Sequence, residues 1–389
     1  MSGTPAFGRP RSLFETEHED FRQIVRSFVD THVAPHAEDW ESAGIMPKSL
    51  FATAAEAGIL GFSIPEAHGG GGGDDFRFNV VMAEELSRHP VCSGLGGLSL
   101  ANDVVIPYFT ELTTDEQKER WLPGIAAGRS VVAIAMTEPG AGSDLAGIRT
   151  RAVRDGDDYV VSGAKTFISN GQNADLVVTV VRTGDHPHRG LSLLVIDTAS
   201  PGFSRGRNLD KIGLHAQDTS ELHLDEVRVP ATHRLGEEGT GFAALMRNLP
   251  QERLSIAVAA VASTEGVLER TLEHIRQREA FGQPIGSFQN SRFAMAEMVA
   301  TTRAHRAWID SLVLAHLDGE LSAEDAAAAK FLTTEHHVDV VSRCLQLHGG
   351  YGYMREYRIA RDYEDARVTT IYGGTTEIMK EIVGRSLGL

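Results

Sequence analysis

Apolar residues recur at helical spacing over the first third of the chain and again over the last, while the middle carries short runs rich in β-branched residues. In the first third Phe21, Val25 and Phe28 share one helix face, and Leu50 to Leu60 forms an alanine-rich helix that closes before Gly61. Phe78 to Leu86 and Leu98 to Phe109 predict two more helices. The run His68-Gly69-Gly70-Gly71-Gly72-Gly73 reads as a loop, since each glycine would cost a helix about 1 kcal/mol. Thr114, with Glu116 and Gln117 behind it, opens a further helix, which Pro123-Gly124 is expected to end.

Between Ser130 and about residue 239 the runs Val131 to Met136, Tyr159 to Ser162, Leu176 to Val181, Leu191 to Ile196 and Leu222 to Val229 predict strands separated by Gly, Pro, Asp and Asn turns. The helices that a parallel doubly wound sheet needs between its strands are absent from this pattern, which disfavours a Rossmann domain. After Gly241 helical spacing returns, through Arg253, Leu254, Ala257, Val258 and Val261, then Phe293 to Val313 and Ala326 to Leu345. The expected fold is α+β and multidomain: an amino-terminal helical domain (1–130), a middle β domain of antiparallel strands (131–239) and a carboxy-terminal four-helix bundle (240–389).

Composition narrows the partners. The 389 residues include 37 basic and 53 acidic side chains, a net charge of −16, which opposes attraction to nucleic acid or an anionic bilayer. Cys92 and Cys344 are the two cysteines and are too far apart in sequence to suggest a zinc site or disulfide scaffold; both read as buried thiols, and no metal is expected. With neither a long apolar run nor a basic leader at the amino terminus, a soluble cytoplasmic protein is expected, without stable membrane association.

Four segments could carry chemistry. Ala135 to Asp144 joins a strand end to Gly140 and Gly142 and to the hydroxyls of Thr137 and Ser143, suited to a flat cofactor or a phosphate, and almost equally to a tight structural turn. In Lys165 to Gly171, Phe167 and Ser169 face one side if the segment is a strand; an ordinary strand edge entering an Asn-Gly turn is the competing reading. Leu249-Pro250-Gln251-Glu252-Arg253-Leu254 reads as the start of a long helix. A carboxylate there, within an apolar wall, could have a pKa tuned for taking a proton, or could simply cap the positive helix end. Gln346 to Tyr353 and Ile371 to Glu377 are glycine-rich turns whose backbone N–H groups could cradle ligand oxygens or merely link helices. Sites spread over some 240 residues suggest a large ligand at a domain interface.

Taken in order, the segments AMTEPGAGSD, KTFISNG, RQREAFGQPI with Gln289, QLHGGYGY and RDYEDARVTTIYGGTTEIMK resemble the acyl-CoA dehydrogenase family of flavoproteins, over nearly the whole chain. The resemblance implies FAD between the β domain and the carboxy-terminal helices, completed across a dimer contact in a homotetramer. Met136, Thr137, Gly142 and Ser143 would line flavin or acyl-CoA, with Phe167 and Ser169 beside the isoalloxazine. Arg278, Phe281 and Gln289 would hold the pyrophosphate and adenosine portion, Gln346 and Gly350 would meet the neighbouring subunit's FAD, and Thr375 and Glu377 would contact FAD near the closing turn. Ser143, Arg253, Gly373 and Gly374 would meet substrate.

The chain departs from the family's commonest pattern after Ile371-Tyr372, where Gly373 stands in place of a glutamate and cannot accept a proton. LPQERL resembles the long-chain type, whose base lies on the earlier helix, and this moves the base to Glu252. The implied reaction is α,β-dehydrogenation of an acyl-CoA thioester to the trans-2-enoyl-CoA. The Gly373 N–H and an FAD ribityl hydroxyl would polarise the carbonyl, Glu252 would take the α-proton, flavin N5 would take the β-hydride, and an electron-transfer flavoprotein would reoxidise the cofactor. An acyl-CoA oxidase and a non-catalytic acyl-CoA or flavin-binding scaffold are the competing functions.

Overall fold

The computed structural model describes residues 11–89 and 95–389. Cys92, expected above to be a buried thiol, falls outside that range. The amino-terminal helices are α1 (Thr16–Phe28), α2 (Ala37–Ala43), α3 (Ser49–Glu56), α4 (Arg77–Arg88), α5 (Gly96–Leu100), α6 (Ile106–Glu111) and α7 (Asp115–Ala126). As the spacing predicts, Phe21, Val25 and Phe28 are buried together, against Leu50, Phe51, Leu98 and Phe109 among others. A π-helical turn, Ala101–Val105, joins α5 to α6 and sets the side chains of α6 one position out of simple helical register. Thr114 caps α7: its hydroxyl accepts from the Gln117 N–H at 3.3 Å, and the Gln117 side chain accepts from the Thr114 N–H at 2.9 Å. The helix does not stop at Pro123 as expected. It loses one backbone hydrogen bond there, but Trp121, Leu122, Ile125 and Ala126 are buried on both sides of the proline and carry the helix on to Ala126.

The middle strands are β1 (Val132–Ala135), β2 (Arg151–Asp155), β3 (Asp158–Ser169), β4 (Leu176–Arg182), β5 (Leu191–Asp197), β6 (Phe203–Asn208), β7 (Thr219–Pro230) and β8 (Arg234–Leu235). They form one sheet in the order β6-β7-β3-β2-β4-β5-β8, with β1 added against β4. Pairing is antiparallel except where β1, and β2 at Arg151, lie parallel to β4. Strand β3 runs seven residues beyond the apolar run that predicted it, because two register shifts against β7 carry the ladder through Gly163 and past Lys165.

The carboxy-terminal part begins with α8 (Gly241–Gln277), a 37-residue helix, followed by a hairpin of β9 (Glu279–Ala280) and β10 (Gln283–Pro284), then α9 (Gln289–Leu317), α10 (Ala323–His348), α11 (Arg358–Ala366) and α12 (Thr376–Ser386). Leu254, Ala257, Val258 and Val261 of α8 pack on Ile309, Leu312 and Val313 of α9, on Ala329 of α10, and on Phe76, Val80 and Ala83 from the first domain. Thus α8 belongs to both helical cores. The same junction holds the buried Glu84 among three guanidiniums. Burial alone would raise its pKa, but Arg306, Arg11 and Arg22 bring it down to about 2. Cys344 is buried in α10, its thiol pushed up to about 12 by burial. Among the described residues no helix is long and apolar enough to cross a membrane.

Candidate active site

Glu252 is not at a helix start. Since α8 begins at Gly241, Pro250 lies inside the helix and Glu252 sits three turns in, so the positive helix end cannot account for its state. Burial can. The side chain is 7% exposed, and desolvation raises its carboxyl to about 7, against the lowering effects of a Tyr108 hydrogen bond and the neighbouring Arg253. The Tyr108 hydroxyl, itself fully buried in α6, donates to Glu252 Oε1 at 3.2 Å. Next to it, Gln251 Nε2 donates to the Asp103 carbonyl at 2.9 Å, tying the same turn of α8 to the π-helical turn. A carboxyl balanced near neutrality in an apolar wall has the properties of a general base.

The turn carrying Gly373 and Gly374 lies against this stretch of α8. Arg253 Nε donates to the Gly373 carbonyl at 3.3 Å, and Lys330 Nζ of α10 donates to the Gly374 carbonyl at 2.7 Å. Both glycines have left-handed backbones, with φ of +65° and +100°. A Cβ on Gly373 would stand 2.4 Å from Ile256 Cδ1, one helical turn after Glu252. The space beside Gly373 is therefore filled by the tip of one side chain, Ile256, from the helix that supplies Glu252. Thr375 caps α12, accepting from the Ile378 N–H at 3.4 Å, and the exposed Glu377 carboxyl is held low chiefly by a backbone N–H in the first turn. These observed partners are local to the helix start.

A second group forms at the exit of β1. Glu138 is buried there: its Oε2 accepts from the Arg149 N–H at 2.7 Å, while Oε1 accepts from the Thr150 N–H and from Lys165 Nζ, both at 2.9 Å. Lys165 also donates to the Met136 carbonyl at 3.1 Å, and the Thr166 N–H donates to the Thr137 carbonyl at 3.0 Å. This buried pair fixes the Met136–Ser143 loop in place, leaving Gly142 and Ser143 exposed and open space where a Gly142 side chain would be. Phe167 is exposed and Ser169 half-buried, with Ile168 buried between them. Phe167 is 68% exposed at φ 60°, an unusual backbone for an aromatic residue, and sits where the sheet register shifts.

The third group lies at the far end of α8. The tip of the β9–β10 hairpin is Phe281-Gly282, with φ of 53° and 80°, and Phe281 is 96% exposed. Arg278, Gln346 and Gly350 line one open groove of about 490 Å³ together with Tyr351, over whose ring the Arg278 guanidinium lies at 5.5 Å. Gln289 is exposed at the first turn of α9. Among the described residues no hydrogen bond or ring contact joins the three groups.

Sequence reasoning gave no role to Tyr108, Glu138, Lys165 or Lys330, although Glu138 and Lys165 lie within two of the candidate segments. Lys330 left a local signal, a lysine on the buried side of an alanine-rich helix. Glu17, His18 and Asp75 place ligand atoms within 4.8 Å of one another, but His18 and Asp75 already bond each other at 3.1 Å, far along the chain from these groups.

The chain matches the acyl-CoA dehydrogenase N-terminal domain over residues 15–129, the middle domain over 133–227 and the C-terminal domain over 239–388. It is 44% identical over 380 residues to the mitochondrial long-chain specific acyl-CoA dehydrogenase of Sus scrofa, covering 97% of this chain and 88% of that protein. An acyl-CoA dehydrogenase structure from Geobacillus kaustophilus superposes with a TM-score of 0.95 at 46% identity, covering 98% of this chain and all of that one. A glutaryl-CoA dehydrogenase from Mycobacterium smegmatis, solved in complex with FADH2, superposes with a TM-score of 0.89 at 29% identity, over 96% of this chain and 95% of that one. The three domains in their order and the sheet between two helical cores agree with these matches, and the chain belongs to the acyl-CoA dehydrogenase family of FAD-dependent oxidoreductases.

Proposed function

We propose that this acyl-CoA dehydrogenase removes the α-proton of its thioester with Glu252, using the Gly373 N–H to hold the thioester oxygen. The observation that carries the reading is the coincidence on α8 of a buried carboxyl poised at about 7 and an arginine bonded to the Gly373 carbonyl. A thioester α-proton is too weakly acidic for an ordinary aqueous carboxylate. Desolvation makes Glu252 a stronger base, and a donor at the carbonyl oxygen stabilises the charge that develops there. Arg253 keeps the Glu252 carboxylate accessible at neutral pH by opposing part of the desolvation, and fixes the Gly373 peptide. Ser143 and Gly374 complete the proposed substrate contacts.

The residues present fit FAD. The Met136–Ser143 loop is held rigidly yet leaves its glycine face open, Phe167 offers an exposed ring on a strained backbone, and the Arg278 groove joins a guanidinium to glycine backbone and an aromatic surface. Met136, Thr137, Gly142, Ser143, Phe167 and Ser169 would hold the isoalloxazine end, with Thr375 and Glu377 near the closing turn. Arg278, Phe281, Gln289, Gln346 and Gly350 would hold the pyrophosphate and adenosine. Bound FAD supplies the acceptor for the β-hydride at N5, so loss of the two hydrogens leaves the trans-2-enoyl-CoA.

The exposed Phe281 tip and Gln346 groove support a homotetramer in which neighbouring subunits complete each other's FAD sites, and an electron-transfer flavoprotein is the proposed oxidant. We also assign the protein to the cytoplasm, to be tested by cell fractionation. The function is tested by adding a panel of straight, branched and cyclic acyl-CoAs to the FAD-loaded protein without oxygen. Bleaching of the flavin with formation of the enoyl-CoA is expected, and a protein that binds FAD but is bleached by none of them defeats the reading.

A further inference from the structure

Lys330 is fully buried in α10, yet its one hydrogen bond runs from Nζ to a backbone carbonyl, that of Gly374, and no ion pair holds it among the described residues. An ammonium taken out of water without a carboxylate partner is costly. Of the charges that act on it, the repulsion of another cation, Arg253, which bonds the carbonyl of the preceding residue, Gly373, outweighs the attraction of the exposed Glu377 carboxylate in the first turn of α12. Two cations from two helices thus grip consecutive carbonyls of a two-glycine turn. With no Cβ at either position, that turn has the most conformational freedom to lose, and its left-handed φ values are held by nothing in the side chains of 373 and 374 themselves. Closing a turn could be done by a neutral amide donor at lower cost, so the charge itself calls for a use.

We propose that Lys330 is a positioning residue for the dehydrogenation: with Arg253 it locks the Gly373–Gly374 turn by its carbonyls so that the Gly373 N–H stays aimed at the thioester oxygen, and its buried charge favours the enolate-like oxygen that forms when Glu252 takes the α-proton. This rests on the proposed roles of Glu252 and Gly373. The proton passes from the α-carbon to the Glu252 carboxylate, the bonding pair moves toward the thioester oxygen, and Lys330 exchanges nothing. Burial, and after it Arg253, pushes the Lys330 ammonium down to about 8, so its charge is lost within a range the enzyme can be assayed in.

The test uses the FAD-loaded protein, Lys330→Met, which keeps the volume and removes the charge, and Lys330→Arg, which keeps the charge and the donor. The probe is 3-thiaoctanoyl-CoA, in which sulfur replaces the β-carbon so that only the α-proton can leave; the resulting enolate is read by its long-wavelength absorbance against the flavin. With FAD occupancy matched, Lys330→Met should raise the pH midpoint of α-proton loss by at least about one unit and slow anaerobic flavin reduction about 10- to 100-fold, the range for removing one stabilising donor or charge. Its Kd for acyl-CoA should change by less than about threefold, since the effect falls on the developing charge. Lys330→Arg should return the midpoint most of the way. An unmoved midpoint in Lys330→Met, a loss confined to acyl-CoA or FAD affinity, or failure of both variants to retain FAD overturns the proposal in favour of a purely structural lysine. The wild type provides a variant-free check: its flavin-reduction rate should fall above about pH 8, and a rate flat to about pH 10 also overturns it. If the wild type neither bleaches with any acyl-CoA nor forms the enolate band, the function itself is wrong, an outcome distinct from a normal wild type with an indifferent Lys330.

Discussion

The two ends of α8 are built on opposite plans. Around Glu252 the side chains of Tyr108, Arg253 and Lys330 are buried and already bonded within the chain: Tyr108 to the carboxyl, Arg253 to Gly373, Lys330 to Gly374. At the other end Phe281 stands almost wholly in solvent on a left-handed turn, and Arg278, Gln346 and Gly350 border an open groove. A base needs a low dielectric and a fixed geometry, which one folded chain can supply. A long cofactor needs to enter and be covered, which exposed aromatic and glycine surface permits once a second surface arrives. The contrast assigns chemistry to the inner end and cofactor retention and assembly to the outer end, and each assignment can be broken separately.

The largest effect should come from Glu252→Gln. The amide conserves size, so FAD content and assembly should persist, while anaerobic flavin reduction by a saturating acyl-CoA should fall at least about 100-fold, the ordinary scale of general base catalysis. Equal reduction rates at matched FAD occupancy would remove Glu252 from the mechanism, whatever happens to steady-state turnover, which reoxidation or product release can limit.

Phe281→Ala should do the reverse. If a neighbouring subunit or its FAD covers this ring, truncation forfeits about 1.5 to 3 kcal/mol of apolar burial, which weakens FAD retention roughly 10- to 100-fold and loosens the oligomer. Measured with FAD in excess, the rate of flavin reduction should remain within about threefold of wild type. Sedimentation together with flavin release on dilution reads both effects. A variant that keeps its FAD and its assembly would leave the exposed ring without the role given to it here.

The same contrast explains what could be seen before the fold was known. The helical, strand and helical thirds follow from local periodicity, and Glu252 was singled out by its place in LPQERL together with the glycine at 373. Strands β2 and β6 escaped because they carry little apolar signal: β2 buries only Ala152, and β6 is an edge strand reading FSRGRN. The end of α7 was set too early because burial of Trp121, Leu122, Ile125 and Ala126 outweighs one proline. Tyr108 lies 144 residues from Glu252, and Glu138 lies 27 from Lys165, so pairing them requires the folded chain. Glu252 reads as a helix-start residue in LPQERL, whereas α8 begins at Gly241 and runs through Pro250.

The finest probe of the inner end is Tyr108→Phe, which removes a single oxygen. The Tyr108 hydroxyl donates to the Glu252 carboxylate and so favours the ionised form; with the donor gone, the carboxyl, already raised to about 7 by burial, must rise further. A net hydrogen bond of about 1 kcal/mol corresponds to about 0.7 of a pH unit. Proton abstraction needs the carboxylate, so the acidic limb of kcat/KM should move toward higher pH by that amount. Activity would then fall about fourfold near pH 6.5 and hardly at all near pH 9, where both proteins are ionised. Phe281→Ala should leave this limb where it is in the wild type. A Tyr108→Phe profile with an unmoved midpoint would mean that the hydroxyl does not bond the base in the working enzyme. A uniform loss at every pH would mean that it orients the carboxyl without tuning it. In either case the tuning of Glu252 would rest on burial and Arg253 alone.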